Sequence, residues 1–114
     1  MSKKQTSLTE QALSTLNLVG KQLRTARLRR NLTIEHVAGR AGLSLGTVTR
    51  LEKGDPGVSL GALTSVLTAL NLETSLETVA HPAADLVGIN LDSLKKRKRA
   101  RTIKDDDRDL DADF

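Results

Sequence analysis

The segment Ser44 to Arg50, with the sequence SLGTVTR, holds side chains that are well suited to hydrogen bonding with a polar partner. The guanidinium of Arg50 is planar and can donate two parallel hydrogen bonds to O6 and N7 of a guanine. Ser44 and Thr47 carry short hydroxyls, which suit a phosphate oxygen or a single base atom. Leu45 offers apolar contact to a thymine methyl. Placed together on one helix, these side chains have the chemistry needed to read double-stranded DNA.

Two short helices that meet at Ala41-Gly42-Leu43 must position this segment, because apolar residues recur at helical spacing on both sides of the junction. The apolar positions are Ile34, Val37, Ala38 and Ala41 in the first helix and Leu45, Val48 and Leu51 in the second. Thr33 and Ser44 stand where hydroxyl N-caps are wanted. Gly42 permits the positive φ with which a chain leaves one helix and enters the next within a few residues. The junction therefore predicts a helix-turn-helix.

The spacing of Ala38, Gly42 and Val48 is that of a DNA-binding helix-turn-helix, with a small residue, a glycine and an aliphatic residue in turn. The segment resembles the helix-turn-helix of the Xre family, which includes phage repressors and Cro. The resemblance extends over roughly Val19 to Leu72. It implies an all-α fold, namely a lambda-repressor-like bundle of four to five helices.

In that family the second helix of the motif is the recognition helix, and its first residues enter the major groove. The first residues of the preceding helix lie close to a phosphate. The expected DNA contacts are Thr33, Ser44, Leu45, Gly46, Thr47, Thr49 and Arg50. Gly46 reads no base but allows the helix to approach the DNA closely. Two alternatives stay open: Arg50 is an ordinary solvated charge, and Ser44 serves only as a cap. The resemblance also implies a structural ion pair between Arg27 and Glu52.

Apolar periodicity also predicts the helices on either side of the motif. A first helix is expected from about Glu10 to Arg30, after the polar residues 1–9, which predict a flexible N-terminus. A fourth helix is expected between an N-cap at Ser59 and an exit at Asn71. Residues 10–73 therefore form the helix-turn-helix domain.

Residues 74–94 are interpreted as a dimerisation strand and its extension. Residues 74–80 alternate between two faces in the manner of a short strand, and a single strand cannot satisfy its own backbone groups. Its simplest partner is the same strand of a second copy, related by a two-fold axis, which predicts a homodimer. The apolar residues that follow, as far as Leu94, are expected to extend the interface or to form a short helix.

The formal net charge of +4 conceals two opposite charge runs in residues 95–114, which predict a basic and then acidic disordered tail. The basic run is a possible phosphate arm, formed by Lys95, Lys96, Arg97, Lys98, Arg99 and Arg101. Its alternative is an ordinary solvated tail. The acidic run ends in the only aromatic residue of the chain and is a possible partner-binding site, formed by Asp109, Asp111, Asp113 and Phe114. Two alternatives stay open: the aspartates fold back on the basic run, and the terminal aromatic residue has no role.

Composition argues against several other classes of function. The chain has no cysteine, so disulfides, thiol chemistry and cysteine-bearing zinc sites are excluded. His36 and His81 lack the spacing of a metal site or a catalytic triad. We therefore expect no enzyme, no cofactor and no bound metal. No apolar run approaches the roughly 18 residues that a membrane span requires, so we expect a cytoplasmic protein, associated with the nucleoid through its operator.

The order of parts, an Xre-like core followed by Leu70-Asn71-Leu72-Glu73 and a short strand, also resembles HipB-type antitoxins. That resemblance implies a homodimer that binds a palindromic operator, represses its own operon and holds a HipA-type serine/threonine kinase toxin. One alternative is a free-standing phage-type or housekeeping Xre repressor without a toxin partner. Another is a protein-interaction module that does not bind DNA.

Overall fold

The computed structural model of the chain describes residues 7–106, with side chains as far as residue 101, so most of the N-terminus predicted to be flexible lies outside it. Within that part, five α-helices follow one another: α1 Glu10–Arg29, α2 Ile34–Ala41, α3 Leu45–Glu52, α4 Leu60–Ala69 and α5 Leu86–Asp106. Two 3₁₀ segments, Glu73–Thr78 and Pro82–Ala84, lie between α4 and α5. The chain divides after Glu77 into two compact units, of which the first holds α1 to α4. The all-α class expected from the sequence is confirmed.

A side-chain hydroxyl caps the start of each of the first four helices. The caps are Thr9, Thr33, Ser44 and Ser59, and each oxygen accepts a hydrogen bond from the backbone N–H three residues further on. A helix start has four N–H groups without a partner inside the helix, so each cap contributes about 1 kcal/mol. Local sequence therefore determines where these helices begin.

The same four helices end alike, on a residue with positive φ. These residues are Asn31, Gly42, Gly54 and Asn71. In each case the next N–H reaches back to a carbonyl five residues earlier, and the bonds are Leu32 to Arg27, Leu43 to Ala38, Asp55 to Arg50 and Leu72 to Leu67. This is the Schellman motif, which brings the side chains at the two ends of that bond together. Three of the four motifs place a leucine there that packs against the core, whereas α3 places an aspartate.

All four helices of the first unit share one aliphatic core. It contains Leu23 from α1, Val37 and Ala38 from α2, Val48 and Leu51 from α3, and Val66, Leu67 and Leu70 from α4 and its C-terminal end. Helix α2 lies against α3 and α4, and α3 also lies against α1 and α4. Burying Val48 and Leu51 fixes which side of α3 faces inward and leaves its other side on the surface.

Helix α1 and the C-terminal turn of α3 approach each other at backbone distance. A Cβ atom on Gly20 would lie 2.5 Å from the carbonyl oxygen of Glu52. A Cβ on Gly54, whose φ is +79°, would lie 2.8 Å from the backbone N and Cα of Asn17. Neither separation is possible for a real Cβ, so two glycines on opposite sides of this contact permit it. The sequence patterns did not predict this contact.

The strand predicted for residues 74–80 is wrong. The segment Glu73–Thr78 is a 3₁₀ helix, and no strand is present among residues 7–106. The helical turn places Leu72 and Leu76 against the core together, and Ser75 N–H donates to the Leu72 carbonyl at 2.9 Å. Backbone groups are thereby satisfied within the segment, so it requires no strand from another copy.

The disordered tail predicted for residues 95–114 is also wrong over its first part, because α5 continues through the basic run to Asp106. The second unit contains α5 and the 3₁₀ segment Pro82–Ala84, which contact each other. At the start of α5, Asp85 Oδ1 accepts from Gly88 N–H at 2.9 Å. Lys, Arg and Ala are good helix formers, which favours continuation of α5 through the basic run.

No helix in the described part of the chain is long and apolar enough to cross a bilayer.

Candidate nucleic-acid interface

The outer side of α3 carries most of the residues that the sequence proposed as DNA contacts. Ser44, Gly46 and Arg50 are exposed, and 48% of Leu45 is accessible. Thr47 and Thr49 are half-buried. The helix and its N-cap therefore present an apolar residue, short hydroxyls and a guanidinium along one side of a short, eight-residue element.

The two hydroxyls at the start of α3 are bonded to each other. Ser44 Oγ accepts from Thr47 N–H at 3.1 Å and lies 2.9 Å from Thr47 Oγ1. The sequence left open whether Ser44 serves only as a helix cap or also contacts DNA. The two roles are compatible, since each hydroxyl has further hydrogen-bonding capacity. Fixed hydroxyls at a helix start are also suited to a phosphate oxygen.

Thr33 at the start of α2 was expected to approach a phosphate with its hydroxyl and its backbone N–H, and both groups are hydrogen bonded to His36. Its Oγ1 accepts from His36 N–H at 3.0 Å, and its N–H donates to His36 Nδ1 at 3.1 Å. This is a reciprocal capping box in which histidine takes the place usually held by glutamate or glutamine. The Thr33 hydroxyl proton remains to donate to an anion.

Among residues 7–106, no three His, Asp or Glu side chains cluster so that they could hold a metal ion.

Gly46 occupies an open position. A Cβ there would meet only Ser44 Oγ, at 3.9 Å. Packing inside the chain therefore gives no reason for a glycine, although a glycine inside a helix costs about 0.5–1 kcal/mol relative to alanine. A surface that must come close to another molecule is a physical reason for one.

Arg50 lies beside Asp55, the residue that follows the left-handed Gly54. Its Nε is 3.5 Å from Asp55 Oδ2, and the two side chains are 55% and 38% exposed. The other oxygen, Asp55 Oδ1, accepts from Gly57 N–H at 2.7 Å. The guanidinium is thus on the surface and has an acidic neighbour that is itself held by the backbone.

The pair Arg27 and Glu52, implied by the family resemblance, joins α1 to the end of α3. Arg27 Nε and Nη2 donate to the two Glu52 carboxylate oxygens at 2.7 and 2.9 Å, and both side chains are 8% exposed. Arg27 Nη1 also donates to the Leu32 carbonyl at 2.9 Å. The hydrogen bond to Glu52 raises the pKa of the Arg27 guanidinium, with burial lowering it and the Glu52 charge raising it further. These bonds connect α1, the turn before α2 and the last residue of α3.

The remaining candidate residues lie apart from α3 in the chain. The basic run from Lys95 to Arg101 is helical and exposed, and it belongs to the second unit. The possible partner-binding residues Asp109, Asp111, Asp113 and Phe114 lie outside the described residues.

A comparison with protein families places this site in a known class. A family model described as a helix-turn-helix domain matches residues 18–81, which include α2, α3 and the turn between them. No curated protein matches the chain. No solved structure matches it either. Since the family match covers more than half of the chain, the protein belongs to the helix-turn-helix domain family, a family of DNA-binding regulators.

Proposed function

We propose that this chain is a sequence-specific transcriptional repressor of the Xre type, which reads DNA with α3 and uses Arg50 as its main base contact. The observation that carries the proposal is the exposed Arg50 on a helix whose opposite side is anchored in the core through Val48 and Leu51. A guanidinium on a rigidly placed helix can read a guanine directly, because it donates two hydrogen bonds to the base edge. The protein acts through binding and not through catalysis.

The repressor acts as a homodimer on a palindromic operator. One recognition helix reads only a few base pairs, and helix-turn-helix proteins commonly join two copies to read two half-sites one helical turn apart. A paired strand no longer supports this dimer, because residues 73–78 form a 3₁₀ helix. Support comes instead from the helix-turn-helix class itself.

The resemblance to HipB-type antitoxins supports a finer role, in which the protein represses its own operon and holds a HipA-type serine/threonine kinase toxin. The charged segment after the helix-turn-helix domain supports this role, because the acidic residues and Phe114 suit a basic partner with an apolar pocket. The basic run in α5 suits DNA phosphates.

Replacing Arg50 by alanine is expected to lower discrimination at one base pair of each half-site by about 1–3 kcal/mol, because the bidentate contact is lost. Selection from a randomised duplex library with the full chain identifies the preferred site, and titration of single-base variants measures the discrimination. Arg30→Ala is a matched control, since Arg30 is an exposed arginine that donates to the Ala26 carbonyl at the end of α1. Equal preference in the Arg50→Ala variant and the wild type would remove Arg50 from the interface.

A chain shortened to end at Leu94 is expected to keep its base preference and to lose a co-purifying kinase. The measurement compares the full and shortened chains in a pull-down from cells that also express any kinase-like protein encoded next to this gene. If the shortened chain loses only DNA affinity, with a weaker dependence on salt, the basic run is a phosphate arm. A free-standing repressor is then the better description. It is also the better description if no kinase gene lies next to the gene of this protein.

A further inference from the structure

We propose that Asp55 is a positioning residue that sets base specificity, by holding the Arg50 guanidinium for guanine and by disfavouring its use on phosphates. The proposal rests on the function proposed above, in which Arg50 contacts a base. Asp55 itself lies outside α3 and is not among the residues that sequence patterns suggested as DNA contacts.

The backbone brings Asp55 to Arg50. Asp55 N–H donates to the Arg50 carbonyl at 3.0 Å, and Gly54 N–H donates to the Leu51 carbonyl at 3.0 Å. These are the two bonds of a Schellman motif, which places the side chains at its ends side by side. Gly54 is held in its left-handed conformation against α1, where a Cβ would collide with Asn17. The pairing is therefore a property of the fold and does not depend on the rotamer of a long side chain alone.

The other three Schellman motifs of the first unit show what this position ordinarily does. There the residue equivalent to Asp55 is Leu32, Leu43 or Leu72, and each packs against the core. Only α3 among the four has a charged side chain at this position. Asp55 thus forgoes the apolar contact that stabilises the other three helix ends, and it lies instead beside the exposed Arg50 of α3.

The carboxylate of Asp55 is preorganised. Its Oδ1 accepts from Gly57 N–H at 2.7 Å, which leaves Oδ2 facing Arg50 Nε at 3.5 Å. An acidic group on the Nε side leaves the two terminal nitrogens of the guanidinium to donate to O6 and N7 of a guanine. A guanidinium held in this way loses less side-chain entropy when it binds a base.

The negative charge of Asp55 also acts on DNA directly. An aspartate near the backbone repels phosphates, and it therefore weakens binding to any sequence on which Arg50 makes no base contact. The same residue is thus expected to favour the preferred site and to disfavour random sequence, and both effects increase discrimination.

The test compares the full-length wild type with the full-length Asp55→Asn variant. The duplexes carry each of the four base pairs at the operator position where Arg50→Ala loses discrimination. Asparagine keeps an oxygen for Gly57 N–H and removes the charge, so the turn is preserved. We expect the preference for guanine to fall about two- to fivefold, the range of an exposed ion pair, with other positions unchanged. Affinity for a random-sequence duplex is expected to rise. Glu73→Gln is the control, since it removes one exposed acidic charge from the 3₁₀ segment.

The double variant Arg50→Ala with Asp55→Asn decides whether Asp55 acts through Arg50. The proposal expects it to show the same preference as Arg50→Ala alone. An unchanged preference in Asp55→Asn, an equal loss at every position, or a further loss in the double variant would overturn the proposal. If Arg50→Ala lowers discrimination and Asp55→Asn does not, only this inference fails. If Arg50→Ala has no effect, the assignment of Arg50 fails and this inference fails with it.

Discussion

Replacing Glu52 by alanine is expected to lower the free energy of unfolding by about 3–5 kcal/mol, because it leaves a buried guanidinium without its charge partner. Arg27 is 8% exposed on its side chain and would retain only the bond to the Leu32 carbonyl. Small domains have about 5–15 kcal/mol of stability in total, so the variant is expected to be close to its unfolding threshold. Denaturant titration of the full chain, followed by circular dichroism, measures the change.

A second pair of the same chemistry provides the control. Arg50 and Asp55 also join an arginine to a carboxylate, but their side chains are 55% and 38% exposed. Asp55→Asn is therefore expected to change the free energy of unfolding by less than about 1 kcal/mol. The double variant Arg27→Met with Glu52→Leu is expected to recover much of the lost stability, since apolar side chains can replace a buried ion pair. The expectation is contradicted if Glu52→Ala is no more destabilising than Asp55→Asn.

The buried pair has a consequence for DNA reading, because Arg27 binds three parts of the domain at once. It lies on α1 and donates to the Leu32 carbonyl in the turn before α2. It also donates to both carboxylate oxygens of Glu52, the last residue of α3. A recognition helix must be held in a constant orientation if its side chains are to meet particular base atoms. The ion pair holds the last residue of α3, at the opposite end of the helix from Ser44, which we propose to contact DNA.

Features that depend on neighbouring residues were predicted well from the sequence. The N-cap hydroxyls of Thr33, Ser44 and Ser59 and the left-handed Gly42 lie where their residue types place them. Each of these is settled by bonds within a few residues, so no distant partner can override it. The pairing of Arg27 with Glu52, which lie 25 residues apart, came from family resemblance and not from any local rule.

The predicted strand failed because alternation over seven residues does not decide between a strand and a turn. Residues 74–80 alternate in polarity, but Leu72 and Leu76 are also spaced four apart, as on a helix. The turn packs both half-buried leucines against a core that is already present, whereas a strand needs a partner. Similarly, the charge of residues 95–101 suggested disorder, although Lys, Arg and Ala favour helix once a helix has begun.

Replacing Gly20 by alanine is expected to lower the free energy of unfolding by at least about 2–3 kcal/mol, an effect that no sequence pattern indicates. The added Cβ would lie 2.5 Å from the carbonyl oxygen and 2.8 Å from the carbonyl carbon of Glu52, and 2.9 Å from the N of Gly54. All three atoms belong to the backbone, so no side chain can move aside. Helix α1 must separate from the end of α3, and the contact that holds the Arg27–Glu52 pair is strained.

Two other helical glycines make the measurement decisive, because alanine is the better helix former in every case. A Cβ added to Gly39 would have no neighbouring atom within 4 Å, and one added to Gly46 would have only Ser44 Oγ at 3.9 Å. Alanine at either is expected to raise the free energy of unfolding by about 0.5–1 kcal/mol. Denaturant titration of the three variants is therefore expected to give opposite signs for the same substitution, and a stabilised Gly20→Ala variant would show that α1 and α3 do not approach at this point.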